Sequence, residues 1–134
     1  MLNVLLLLHT VVALAVAFAF LLFYEPLTVY LTGITKSQFS ASPIKGVIIA
    51  YAWLTAVGLI TVAAVADFAR RSGHSSVRWG AIFALLVNCI AFIAASLFIS
   101  FALKIFPLAT LVFLIALIFL LLYLWIIFFY RDTV

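Results

Sequence analysis

Very few residues inside the long apolar stretches of this chain could do chemistry. His9 and Asn88 are the strongly polar side chains placed well within such stretches. An unpaired polar group is costly in hydrocarbon, so a partner is expected for each. If both stretches are helices that start from one side of a membrane, the two residues reach similar depths at about 1.5 Å per residue. We predict an intramembrane hydrogen bond between His9 and Asn88. The alternatives are that each bonds to a backbone carbonyl, or that His9 reaches the membrane interface.

The titratable residues do not form a pattern typical of a catalytic or metal site. A haem held by two histidines would need a second intramembrane histidine, and His74 falls in a short polar segment. Zinc and copper sites need several converging ligands, and Cys89 next to Asn88 is most simply a small apolar residue. Glu25 has no neighbouring His or Asp with which to act as an acid–base pair. We therefore predict a protein that is not an enzyme, without catalytic, cofactor-binding or metal-binding residues.

Charged residues gather where the second apolar stretch gives way to the third. Asp67 precedes Arg70 by three residues and Arg71 by four, so all three can pair on one helix face, and Arg78 follows closely. The cluster of Asp67, Arg70, Arg71 and Arg78 could bind acidic lipid headgroups. Its alternative role is local pairing and orientation in the membrane. The sequence favours that alternative, because three arginines are fewer than a usual lipid-recognition cluster.

The composition indicates the environment in which these residues lie. Of 134 residues, 71% are hydrophobic and 7% are charged, whereas a soluble domain has about 25% charged residues to cover its surface. The apolar surface must therefore face lipid, which predicts a multi-pass integral membrane protein with a single domain, residues 1–134. The formal net charge of +4 is small and scattered, so no nucleic-acid partner is predicted.

Four apolar runs are long enough to cross a bilayer as helices, which takes about 20 residues. Ser42 can cap the start of the second run and Pro43 fits its first helical turn. Pro107 separates the third run from the fourth at a tight hairpin. Residues 25–43 form the main loop, which is expected to lie on the membrane or on a partner. The fold class predicted is an all-α membrane protein with four transmembrane helices in an up-down bundle. The spans are residues 2–24, 44–69, 77–103 and 107–130.

The orientation follows from the basic residues and the aromatic residues at the span ends. Cytoplasmic loops are enriched in Lys and Arg, and Trp and Tyr collect at both membrane interfaces. One side would carry Arg70, Arg71, Arg78 and Arg131, and the other Lys36, Lys45 and Lys104. We predict that both termini are on the cytoplasmic side (N-in, C-in). The predicted interface anchors are Trp53, Trp79, Trp125 and Tyr130.

Small residues predict which helix faces pack together, because close backbone approach is what joins helices in lipid. The first three spans each carry such residues at helical spacing and are expected to pack closely. The fourth span has a bundle-facing stripe and a broad bulky face, which would meet lipid or another subunit. The small-residue stripes are Ala13 and Ala17, then Ala52, Ala56, Ala63 and Ala66, then Gly80, Ala84, Asn88, Ala91, Ala95 and Ala102. The stripe of the fourth span is Ala109, Ala116, Tyr123 and Tyr130.

Two functions fit this reading. The first is a non-enzymatic accessory or assembly subunit of a larger membrane complex, which packs against lipids and against other membrane protein subunits through the 107–130 helix. The second is a small transporter, channel or lipid-handling protein that acts as an oligomer. Transport of polar solutes needs intramembrane polar groups, and two such residues, His9 and Asn88, are a small number for a transport path.

Overall fold

The computed structural model describes residues 1–32, 35–41, 43, 45–103 and 107–129, and throughout these ranges the chain is helical apart from short connections, with no strand. Two short helices separate the first long helix from the other three. In chain order the helices are α1 (Leu2–Leu22), α2 (Tyr24–Thr32), α3 (Lys36–Ala41), α4 (Lys45–Arg71), α5 (Ser75–Leu103) and α6 (Pro107–Phe129).

Three of the helices are long and apolar enough to cross a membrane, judged by length and composition. They comprise residues Leu2–Leu22, Lys45–Arg71 and Ser75–Phe98. In α6 the part whose side chains are described, Phe113–Phe129, is a shorter apolar helix. The all-helical prediction and three candidate spans are thus confirmed. The fourth span and the up-down, N-in/C-in bundle stay predictions.

The first long helix ends two residues before the end of the first predicted span. Its helix ends at Leu22, and Phe23 leaves the helical conformation with φ −122° and ψ 27° while its amide donates to the carbonyl of Ala19 at 2.9 Å. The chain turns back into a helix at Tyr24. Pro26 is tolerated there because it stands in the first turn, where amide groups have no helical partner.

The predicted main loop, 25–43, contains two short helices, because α2 and α3 occupy most of its described residues. The start of α3 has a local cause. The Gln38 amide donates to Thr35 Oγ1 at 3.3 Å, and the Thr35 amide donates to Gln38 Oε1 at 2.8 Å. This reciprocal arrangement is a capping box, which satisfies two amides at a helix start. The predicted cap Ser42 and the predicted turn around Lys104 lie outside the described residues.

The most extensive helix–helix contact joins α1 to α4 through small residues, which we call the α1–α4 seam. Ala13, Ala17, Ala56 and Ala63 are each at most 3% exposed and cluster with Leu59. Alanine side chains let two backbones approach closely, which maximises van der Waals contact in lipid. The small-residue prediction is confirmed for these two helices.

The second most extensive contact joins α5 to α6 through large side chains, which we call the α5–α6 seam. It contains Ile82, Leu85, Phe119, Tyr123 and Ile126, none of them more than 6% exposed. The same core cluster also takes in residues from the start of α1 and the end of α4. These are Leu2, Leu5, Leu6, Ala66 and Ala69.

Among its described side chains, the predicted small-residue stripe of the third span does not pack into the core, and Ala102 lies outside the described side chains. Gly80, Ala84, Ala91 and Ala95 are exposed and Asn88 is only half-buried. The buried residues of α5 are instead Ala81, Ile82, Leu85, Leu86, Cys89 and Ser96. The physical reason is the way in which the helices pair. A small-residue stripe gains most against another such stripe, and α1 and α4 use theirs on each other. Against the bulky α6, larger α5 side chains fill the space better.

Candidate functional site

The main buried polar contact of the described structure joins the first long helix to α6. His9 is 6% exposed, Tyr123 is fully buried, and His9 Nδ1 lies 2.8 Å from the Tyr123 hydroxyl. Depending on the imidazole tautomer, the phenol donates to Nδ1 or Nδ1–H donates to the phenol oxygen. With either donor, one hydrogen bond satisfies a polar group on each of two helices. We call these two residues the His9–Tyr123 pair.

The helical spacing of α6 explains why Tyr123 faces His9. Ala116, Phe119, Tyr123 and Ile126 recur every three or four residues and are all buried, so they form one face of the helix. The predicted bundle-facing stripe is confirmed at Ala116 and Tyr123. Its other two members, Ala109 and Tyr130, lie outside the described side chains.

Aromatic rings enclose the imidazole. The Phe119 ring centroid is 4.4 Å from that of His9 and the Tyr123 centroid is 5.7 Å away, both with tilted planes. Cys89, 3% exposed, belongs to the same core cluster. A hydrogen bond in such apolar surroundings is electrostatically stronger than one exposed to water, and breaking it leaves a costly unpaired group.

The residue next to His9 makes a second polar contact, toward a different helix. Thr10 Oγ1 donates to the Leu6 carbonyl at 2.9 Å within α1, and it also lies 3.4 Å from the Ala63 carbonyl of α4. Two consecutive residues of α1 therefore contact α6 on one side and α4 on the other. Both the rotation and the register of α1 are fixed by these contacts.

The predicted partner of His9 is corrected by this geometry. His9 bonds to Tyr123, and no hydrogen bond joins it to Asn88 among the described residues. Asn88 lies on the outward, small-residue side of α5, between the exposed Ala84 and Ala91. The predicted rotation of α5, with its small-residue stripe turned toward the bundle, is wrong for the described residues. The signal that could have found Tyr123 was its place on the inward stripe of α6.

The His9–Tyr123 pair joins α1 to α6 through side chains that are both buried. Among the described residues, no group of three or more His, Cys, Asp or Glu side chains could hold a metal ion. His9 Nδ1 is already bonded to Tyr123, so that nitrogen cannot serve as a base for Cys89 without first losing its partner.

The second candidate site is the charged end where α4 meets α5, which we call the arginine end (Asp67, Arg70, Arg71 and Arg78). Arg70 Nε and Nη2 donate to Asp67 Oδ1 at 3.0 and 2.7 Å, and Arg71 Nε lies 2.7 Å from Oδ2. The predicted pairing of Asp67 with both arginines is confirmed. Arg78 Nε donates to the Ser72 carbonyl at 2.8 Å, which links the start of α5 to the residue after α4.

The opposite end of α4 is held by contacts of the short helices. Lys36 Nζ lies 3.4 Å from Glu25 Oε1, a buried oxygen that accepts no hydrogen bond among the described residues. The distance defines an ion pair without hydrogen-bond alignment. Phe39 is fully buried, and Lys45 Nζ lies 5.8 Å from its ring centroid, within reach of a cation–π contact.

The predicted interface anchors differ in their surroundings. Trp53 is 57% exposed on α4 and Trp125 is 40% exposed on α6, while Trp79 is half-buried with its ring 6.1 Å from that of Phe83. Tyr130 lies outside the described residues. Anchoring at an interface stays a prediction for all four.

Comparison of the chain with protein-family models, with curated proteins and with solved structures finds no match. The features of the chain that bear on its function are the His9–Tyr123 pair, the arginine end and the apolar exterior.

Proposed function

We propose that the chain is a multi-pass integral membrane protein whose four long helices cross the bilayer in an up-down bundle. The core cluster supports this, because it combines residues from the start of α1, the end of α4, the start of α5 and the end of α6. Helices that alternate in direction bring those four ends together. The length of α6, 23 residues, is sufficient to span, at about 20 residues per crossing.

The orientation proposed places the arginine end, and with it both termini, on the cytoplasmic side. Arg70, Arg71 and Arg78 lie at the ends of helices that would face that side. Positively charged residues in short loops favour the cytoplasmic side of a membrane. Lys36 and Lys45 would then lie on the other side.

Within the membrane we propose a non-enzymatic role as an accessory or assembly subunit of a larger complex. The observation that carries this proposal is the contrast between interior and exterior. The buried residues are mostly apolar, and the buried His9 and Tyr123 bond to each other, while bulky apolar groups such as Phe128, 76% exposed, cover the outside. Such a surface can pack against lipid and other helices and offers little for polar chemistry.

The partner surface we propose is the outward face of α6. It carries Leu114, Ile118, Leu121 and Phe128, all large and exposed. In lipid, burial of apolar area does not drive helices together, so a partner would be selected by shape complementarity to this bulky face. Remaining parts of the exterior would contact membrane lipids.

The test is solubilisation in a mild detergent followed by sizing and identification of co-purifying membrane proteins. We expect stoichiometric partners for the wild type. The double variant Ile118→Ala and Leu121→Ala should release them, because it removes two of the bulky side chains that give the outward α6 face its shape complementarity to a partner. The matched control, Leu54→Ala with Val57→Ala, alters an exposed face of α4 and should retain them.

A chain that purifies alone, or that loses its partners equally in both double variants, would contradict the subunit proposal. A chain that dissolves without detergent would contradict membrane embedding itself. The two failures are distinguishable because solubility and partner content are measured separately.

The second candidate function is a small transporter or lipid-handling protein that acts as an oligomer. It is favoured by one observation, the presence of two ionisable side chains, His9 and Tyr123, inside the helices. Reconstitution in vesicles discriminates it. If His9→Gln abolished a transport activity while the chain kept its assembly, transport would be the better description.

A further inference from the structure

The arginine end has an excess of positive charge that its own contacts do not neutralise. Residues 67–78 contain three guanidinium groups, of Arg70, Arg71 and Arg78, and a single carboxylate, that of Asp67. Arg70 uses both Nε and Nη2 on that carboxylate. Two positive charges therefore remain over from the cluster.

Arg71 and Arg78 are each held through the Nε side of the guanidinium group. Arg71 Nε lies 2.7 Å from Asp67 Oδ2, and Arg78 Nε donates to the Ser72 carbonyl at 2.8 Å. These contacts orient the planar groups, and no contact with another described residue occupies the Nη groups of either arginine. The Arg71 side chain is 72% exposed. Because Ser72 directly follows Arg71 in the chain, the two oriented guanidinium groups belong to one end of the molecule.

The position of the arginine end, next to the apolar exterior, indicates which class of ligand it would bind. Phe68, one residue after Asp67, is 67% exposed, and Phe83 on α5 is 57% exposed. An apolar exterior thus continues almost to the arginines on both helices. In a membrane-embedded chain, the arginines lie at the level where the hydrocarbon region gives way to headgroups.

We propose that Arg71 and Arg78 bind the phosphate group of an anionic membrane lipid. Guanidinium groups bind phosphate oxygens bidentately, and orientation by prior hydrogen bonds reduces the entropy lost on binding. Since Arg71 belongs to α4 and Arg78 to α5, the phosphate would bridge the two helices. Asp67 and the Ser72 carbonyl act as positioning groups. The inference rests on the proposed membrane embedding, and it is independent of the subunit role.

The test uses the purified full chain in a neutral detergent and counts bound lipid by native mass spectrometry. The probes are phosphatidylglycerol, an anionic lipid, and phosphatidylcholine, a zwitterionic one. We expect the wild type to prefer phosphatidylglycerol. In the double variant Arg71→Gln and Arg78→Gln, the affinity for phosphatidylglycerol should fall by about 10- to 30-fold, because each arginine near a membrane surface contributes a similar electrostatic attraction to an anionic lipid.

The matched control removes the same charge at the other end of α4. The double variant Lys36→Gln and Lys45→Gln also lowers the net charge by two, yet it should keep the preference for phosphatidylglycerol. Equal loss in both double variants would overturn the site and leave only a net-charge effect. An unchanged preference in the arginine variant would overturn it as well.

A third arm separates the source of the phosphate. Inorganic phosphate at millimolar concentration should not displace phosphatidylglycerol, because it lacks the acyl chains that lie along the apolar helices. Displacement at that concentration would overturn the assignment to a lipid. Failure of the chain to enter detergent micelles would instead contradict membrane embedding, which the same spectra report through the detergent retained.

Discussion

The two helix seams of this molecule are built on opposite principles. The α1–α4 seam joins backbones closely through alanines such as Ala17 and Ala56, both without exposed area. The α5–α6 seam joins helices through the side chains of residues such as Leu85 and Ile126. Close approach leaves no room for added atoms, whereas side-chain packing leaves a hole when atoms are removed. The seams should therefore differ in which substitutions they resist.

The largest expected effect is a deletion in the α5–α6 seam. Ile126→Ala should lower the free energy of unfolding by about 2–5 kcal/mol, because Ile126 is 1% exposed and its removal leaves a cavity. Unfolding by sodium dodecyl sulfate in mixed micelles measures the change. Ile118→Ala, on the outward face of the same helix at 56% exposure, should change it far less. Equal effects would mean that α6 packs in another rotation.

An insertion in the α1–α4 seam comes next. Ala56→Leu should lower the free energy of unfolding by about 1–3 kcal/mol, because the larger side chain must force the two helices apart. The same titration measures it. The exposed Ala64 on α4 provides the control, since Ala64→Leu adds the same atoms outside the seam. If Ala56→Leu were tolerated as well as Ala64→Leu, close approach of α1 and α4 would be disproved.

The smallest effect expected is loss of one hydrogen bond between the seams. Tyr123→Phe removes the hydroxyl from His9 while keeping the ring, and should lower the free energy of unfolding by about 0.6–2 kcal/mol. Tyr51→Phe, which alters a side chain 68% exposed, is the matched control with little expected change. A Tyr123→Phe protein as stable as the wild type would show that the pair contributes packing alone.

The sequence was most informative where a pattern allowed one partner only. Small residues at helical spacing in α1 and α4 identified Ala13, Ala17, Ala56 and Ala63 as packing residues, because two such stripes gain by meeting. The spacing of Asp67 with Arg70 and Arg71 likewise fixed a local pairing that needs no knowledge of the fold.

The packing that the sequence did not predict depended on which of several neighbouring helices a helix face would meet. The stripe of α5 that includes Gly80 and Ala91 has the same small-residue pattern, yet it is exposed because the available neighbour, α6, is bulky. Because the buried face of α5 is a different one from the predicted stripe, Asn88 lies on the outward side of α5. His9 bonds to Tyr123 instead. Helix α3 was missed for a different reason, since the Thr35–Gln38 capping box was readable from sequence but no apolar run accompanied it.

The distance along the chain between His9 and Tyr123 bears on the order of assembly. The two residues are 114 positions apart, so a ribosome adding about 5–20 residues per second needs on the order of ten seconds to supply the second after the first. During that interval the imidazole of α1 lacks its phenol partner. The His9–Tyr123 hydrogen bond can therefore form only after most of α6 has been synthesised, so it belongs to the last helix contacts that the growing chain completes.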